Sequence, residues 1–102
     1  MVSGKTIRFS WTDGPTKGKS YEHIFHPDGT VEWGGSDDRP KYADEAVTEK
    51  VSMISYLSKS GYTLTAVLNF ENGTIVGVAS NETTWIPVHG TLTVTASVDG
   101  AR

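Results

Sequence analysis

Residues 20–35, SYEHIFHPDGTVEWGG, decide the architecture. Tyr21, His23 and Phe25 alternate with Ser20, Glu22 and Ile24, and Val31 and Trp33 then flank Glu32. A period of two is the signature of a strand with two unlike faces. Between the two runs, HPDG supplies Pro27 to fix φ, Asp28 to bond back onto nearby backbone, and Gly29 for a left-handed position. A type I turn with a glycine bulge is expected there. The stretch therefore reads as a hairpin, and one of its faces mixes phenol, imidazole and indole. Aliphatic side chains would serve if that face existed only to be buried, so the mixture raises the question of what it holds.

Outward from this hairpin the same pattern repeats. Lys5 to Thr12 sets Ile7, Phe9 and Trp11 against Thr6, Arg8 and Ser10, and DGPTKG (13–18) ends that strand. Beyond Gly35, the polar run GSDDRPKYADEAVTEK reads as a loop and a short strand near 41–47. Ser52, Ile54 and Tyr56 alternate in the next segment, SKSG (58–61) turns into 62–70, and ENG (71–73) turns into 74–80. The last strand is expected from Val88 to Ser97, after a loop holding Trp85 and Pro87. A rival reading exists for part of this region. Ala43, Ala46, Val47, Val51, Ile54 and Leu57 are spaced like one face of a helix.

About eight short antiparallel strands joined mostly by tight turns are enough to close on themselves with room for side chains or one small ligand. The expected fold is all-β, a single up-and-down antiparallel β-barrel of about eight strands. The alternative is an open β-sandwich with one helix near 43–57. The 102 residues suit one domain, residues 1–102, with 36% hydrophobic and 21% charged residues giving enough apolar material for a core and arguing against disorder.

Composition also removes whole classes of function. With no cysteine, a disulfide framework, a thiolate metal site and a cysteine nucleophile are out of reach. Nine basic residues scattered along a chain of net charge −3 form no stripe for a phosphate backbone, so no nucleic-acid partner is expected. MVSGKTIRF has no apolar leader-like core, and no window approaches the ~18 apolar residues of a spanning helix, so the expectation is a cytoplasmic protein without a membrane partner.

Two resemblances follow from the motifs. GKTIRFSWTDGPTKGKSYEHIFHPDGTVEW resembles the proteins named after molybdenum cofactor biosynthesis protein F (MoaF), which implies a small calycin-type, lipocalin-like barrel. The order IRFSWTDG, SYEHIF, VTEKVSMISYLSKSG is similar to that of the phenolic acid decarboxylases, another calycin group. The second resemblance implies a site of two tyrosines on the first strand, an arginine and a glutamate. Here the tyrosine positions hold Phe9 and Trp11 and the glutamate position holds Ser58, while Arg39 is the arginine in the corresponding part of the chain. The resemblance thus implies the fold and the inward orientation of Phe9 and Trp11, without the decarboxylase chemistry.

The candidate ligand-binding residues are Phe9, Trp11, Tyr21, His23, Trp33, Ile54 and Tyr56. Aromatic faces with phenol and imidazole tips suit a small, largely apolar or aromatic molecule. The same residues would equally serve to fill a small barrel with its own side chains. No catalytic residue is assigned, although an inward His23 could act as acid or base beside Tyr21 or Tyr56 in a lyase or isomerase. No cofactor is implied. No HxH or HExxH spacing points to a metal. Glu22 and Glu32 are expected on the solvent face, His26 in the turn, Asn72 and Asn81 in turns, and the run DDRPKYADE in a loop that could cover the mouth. Trp85 is expected to plug one end or to lie in a subunit contact. If the final strand were left as an edge, it could pair with a second chain, which makes a homodimer possible.

Overall fold

The computed structural model describes residues 1–97, and within them the alternation of side chains becomes a single curled sheet. Eight strands form among the described residues: β1 (Lys5–Trp11), β2 (Ser20–Phe25), β3 (Val31–Trp33), β4 (Tyr42–Thr48), β5 (Val51–Leu57), β6 (Thr63–Asn69), β7 (Thr74–Ser80) and β8 (Trp85–Ser97). Their order is β3-β2-β1-β8-β7-β6-β5-β4, with every pairing antiparallel. Strands successive in the chain are sheet neighbours except β3 and β4, which end the order, and the first strand pairs with the last. The two outer strands, β3 and β4, approach each other at the Thr30–Lys41 bridge, reinforced by Val31 N–H to Pro40 O (3.0 Å) and Tyr42 N–H to Gly29 O (3.0 Å). The result is the expected barrel-like meander, closed at a short seam.

No helix forms among the described residues, and residues 43–57 show why. Ser52, Ile54 and Tyr56 are buried in strict alternation, which places β5 in the wall of the barrel. The apolar stripe that suggested a helix dissolves, because Ala43, Ala46 and Val47 lie exposed on β4. The sandwich-with-helix alternative is accordingly set aside.

The core is the inward face of the meander. Ile7, Phe9, Phe25, Val31, Ile54 and Leu68 are completely buried, and Ile75 and Ala66 nearly so. One end is stoppered by the N-terminal segment. Val2 is fully buried, its N–H and that of Ser3 donate to Asp44 Oδ2 (3.0 and 3.3 Å), and Gly4 N–H reaches Phe25 O at 2.7 Å. Tyr42 spans the seam there, edge-on to Phe25 with its hydroxyl donating to the His26 carbonyl at 3.0 Å.

One departure from expectation concerns the start of β8. The strand begins at Trp85, paired with Ser80, and not at Val88. Trp85 is 69% exposed and plugs nothing. Pro87 is tolerated in the strand because the β1–β8 ladder ends at the Trp11–Gly90 pair, so residues 85–89 have a neighbouring strand on the β7 side only. As a closing strand would, β8 lies between β1 and β7, so it is not the free edge on which pairing with a second chain was conditional. Val98, the continuation of this strand's pattern, lies outside the described residues. No helix among the described residues is long and apolar enough to cross a membrane.

Candidate functional site

The end opposite the Val2 stopper stays open because the strands deliver aromatics and small residues there instead of interlocking aliphatics. Trp11 ends β1, Tyr21 and His23 lie on β2, Trp33 ends β3, Tyr56 lies on β5, and Leu64, Ala79 and Val88 complete the ring from β6, β7 and β8. With Pro15 and Thr16 from the β1–β2 loop they line a cavity of about 260 Å³. A second compartment of about 360 Å³ shares Trp33, Tyr56, Leu64 and Ala79 with it and continues toward Ser36, Asp38 and the Ser58–Tyr62 turn.

Glycine makes the aromatic walls possible. The Trp11 ring lies over Gly90 on the neighbouring strand, where any Cβ would collide with the Ser10 carbonyl. Gly34, at φ +56°, lets Tyr21 lie against the β3 terminus, since a Cβ there would stand 2.7 Å from Tyr21 Cδ1.

His23 is the floor. It is 2% exposed and stacked on Phe9 with ring centroids 3.9 Å apart at 22°, and Trp33 lies nearly parallel at 6.2 Å. Its Nε2 is 2.9 Å from the Tyr56 hydroxyl, and Trp33 packs against the Tyr56 ring at 4.9 Å. Nδ1 has no hydrogen-bond partner. Burial lowers the His23 pKa from 6.5 to about 4, with a weaker opposing pull from the Tyr21 backbone. Burial also pushes the Tyr56 phenol above its ordinary value, helped by the negative charge of Asp38. At neutral pH the floor is therefore an uncharged imidazole bonded to an uncharged phenol.

At the rim, the loop from Gly34 to Lys41 is tied to the β5–β6 turn. Lys59 N–H donates to Asp38 Oδ2 at 2.8 Å, the Lys59 ammonium pairs with Asp37, and Asp38 N–H donates to Ser36 Oγ at 3.1 Å. The loop thus walls the outer compartment. Arg39 points elsewhere, bonded to Glu32 (3.1 Å), which also holds His26 at 2.8 Å. Glu32 is consequently half-buried and engaged, whereas Glu22 pairs with Arg8 on the exposed outer face. Asn72 and Asn81 accept from Thr74 and from Thr83 and Thr84 within their turns, as turn residues do.

Five of the seven candidate residues, Trp11, Tyr21, His23, Trp33 and Tyr56, come together around the inner cavity. Phe9 and Ile54 point inward as expected but are completely buried beneath it and do not line it. Sequence reasoning missed Leu64, Ala79 and Val88. Each sits at the inward parity of its strand, a signal present in the alternation, but nothing local marks which inward residues lie at the open end. Also missed was the outer pair in which Asp13 Oδ2 meets His89 Nδ1 (2.7 Å) and Asp13 Oδ1 accepts the His89 N–H (2.7 Å), 76 residues apart in the chain. That bond lowers the Asp13 pKa. Among the described residues, no three His, Asp or Glu side chains are grouped as metal ligands.

Fold and site together define a barrel-like all-β protein with an aromatic cleft at one end. A crystal structure of a "putative beta-lactamase" from Burkholderia vietnamiensis superposes with a TM-score of 0.75 at 16% identity, covering 92% of this chain and 95% of that one. At that identity the likeness is one of fold. No family model matches the sequence, and no curated protein matches it.

Proposed function

We propose that this protein is a small-molecule binding module of the calycin type, akin to the MoaF-like barrels, that takes a small, largely apolar or aromatic compound into its open end. The observation that carries the reading is the inner cavity of about 260 Å³, walled by Trp11, Tyr21, Trp33 and Tyr56 with no charged side chain in its lining. A barrel that used these aromatics only to fill itself would leave no such space. An engineered apolar cavity of about 150 Å³ is enough to take benzene, so this one has room for a second fused ring.

The competing reading is an enzyme of the lyase or isomerase class with His23 as acid or base. The His23–Tyr56 bond at 2.9 Å favours it geometrically. The energetics do not, because an imidazole with a pKa near 4 is a weak base and a buried phenol with a raised pKa is a weak acid. Lactam hydrolysis, suggested by the structural neighbour's name, finds little support in the cleft. Ser58 and Ser60 bond to each other, and neither has a basic side chain as its hydrogen-bond partner.

The test is titration with a panel of aromatic acids, flavonoids and fatty acids, followed by tryptophan fluorescence and melting temperature. Saturable quenching with a raised melting temperature is expected for at least one aromatic compound. Silence across the panel overturns the reading. Turnover of a bound compound by wild type but not by His23→Ala would transfer the assignment to the enzyme.

A further inference from the structure

The two compartments at the open end form one cleft with two chemistries. Trp33, Tyr56, Leu64 and Ala79 line both, so the outer compartment continues the inner one. The inner lining holds no charged side chain, whereas the outer lining holds Asp38 and Lys59. These two charges are not in the same condition.

The Lys59 ammonium is spent on Asp37, an exposed residue outside the lining. Asp38 is half-buried, and among the described residues no Lys, Arg or His side chain lies within ion-pair distance of it. Its Oδ2 accepts the Lys59 N–H at 2.8 Å, and its own N–H is tied to Ser36 Oγ at 3.1 Å. The carboxylate is thereby fixed in place without being neutralised. The neighbouring hydroxyls do not offset it, because Ser58 Oγ donates to the Tyr62 carbonyl at 3.0 Å and is bonded to Ser60 Oγ. Around the carboxylate stand the rings of Trp33, Tyr56 and Tyr62, whose π faces attract cations as well. An anion entering here meets a like charge, and a neutral group forgoes the stronger, charge-assisted bond.

From this arrangement we infer that the cleft takes an arylalkylamine: a fused aromatic ring in the inner compartment and, on a short alkyl tail, a primary ammonium in the outer one, bonded to Asp38. The inference rests on the binding-module reading and names the ligand class within it.

Three probes with one ring system and closely similar tails separate the terms: 2-(2-naphthyl)ethylamine, 2-(2-naphthyl)ethanol and 2-naphthylacetate. Near pH 7 they carry a positive charge, no charge and a negative charge. In calorimetric titrations at low salt the amine is expected to bind about tenfold tighter than the alcohol, the scale of a hydrogen bond to a charged group, and the acetate most weakly. Added salt should narrow the gap between amine and alcohol, a reading that needs no variant. Asp38→Asn keeps an oxygen to accept the Lys59 N–H, so the loop stays tethered. It should bring the amine down to the affinity of the alcohol and leave the alcohol unchanged. Glu71→Gln removes the same charge in the β6–β7 turn beside Met1, at the stoppered end, and should leave the gap intact. An amine that binds no tighter than the alcohol, a gap that survives Asp38→Asn, or one that shrinks as much in Glu71→Gln overturns this inference and leaves the binding module standing. Failure of all three probes, and of the wider panel, overturns the binding module itself.

Discussion

Acidifying the solution tests the His23 environment directly. The ring is almost wholly buried, with its pKa lowered from 6.5 to about 4 by desolvation. The folded-state value lies below the unfolded one, so as pH falls the unfolded chain takes up the proton first. The contribution of neutral His23 to stability is complete above about pH 6.5, is lost as pH falls toward 4, and does not return below that. Each unit of separation is worth ~1.4 kcal/mol, so the whole window amounts to roughly 3 kcal/mol, of which about 2 is gone near pH 5. For a domain whose total stability is of order 5–15 kcal/mol, that is a shift in melting temperature on the order of 10 °C.

Urea unfolding of wild type and His23→Gln near pH 7 and near pH 5 isolates the effect, since every other titrating group is common to both proteins. The wild type should lose about 2 kcal/mol more than the variant over that interval. Titration of the imidazole by NMR in the folded wild type provides a second reading that needs no variant. A ring that protonates near its ordinary value, or equal pH dependence in the two proteins, would refute the account of His23 as a dry, neutral floor.

Three other perturbations follow from the packing. Gly77→Ala would put a Cβ 2.6 Å from the Thr65 carbonyl and 2.9 Å from Ala66 Cβ, so a loss of about 1–3 kcal/mol is expected in denaturant melts. Asp44→Ala removes the acceptor that holds the Val2 and Ser3 amides, and should cost about 1–2 kcal/mol. It should also speed amide exchange at Val2 and Gly4 without disturbing a ligand at the opposite end. Trp85→Phe should change stability by less than about 0.5 kcal/mol, because the indole is 69% exposed. Ligand-induced quenching should persist in that variant, since Trp11 and Trp33 are the tryptophans that line the cavity.

The alternation along residues 5–12, 20–25 and 52–56 was legible before any coordinates, because a strand's two faces are a property of successive Cβ directions and need no knowledge of neighbours. The turns were legible for a similar reason: glycine, proline, Asn and Asp act on the backbone within a few residues of themselves. So the sequence by itself determined an all-β meander, the inward set Phe9, Trp11, His23, Ile54 and Tyr56, and the absence of thiol chemistry. Tertiary structure decided the rest. Which inward side chains end beneath the cavity and which line it depends on register around the sheet, which sets Trp11 beside Gly90 and Tyr56 beside Leu64. The His23–Tyr56 bond, the Asp13–His89 pair and the extension of β8 to Trp85 are all contacts or pairings between distant segments. No local periodicity encodes them, because they arise only when the sheet curls and its far strands are brought within bonding distance.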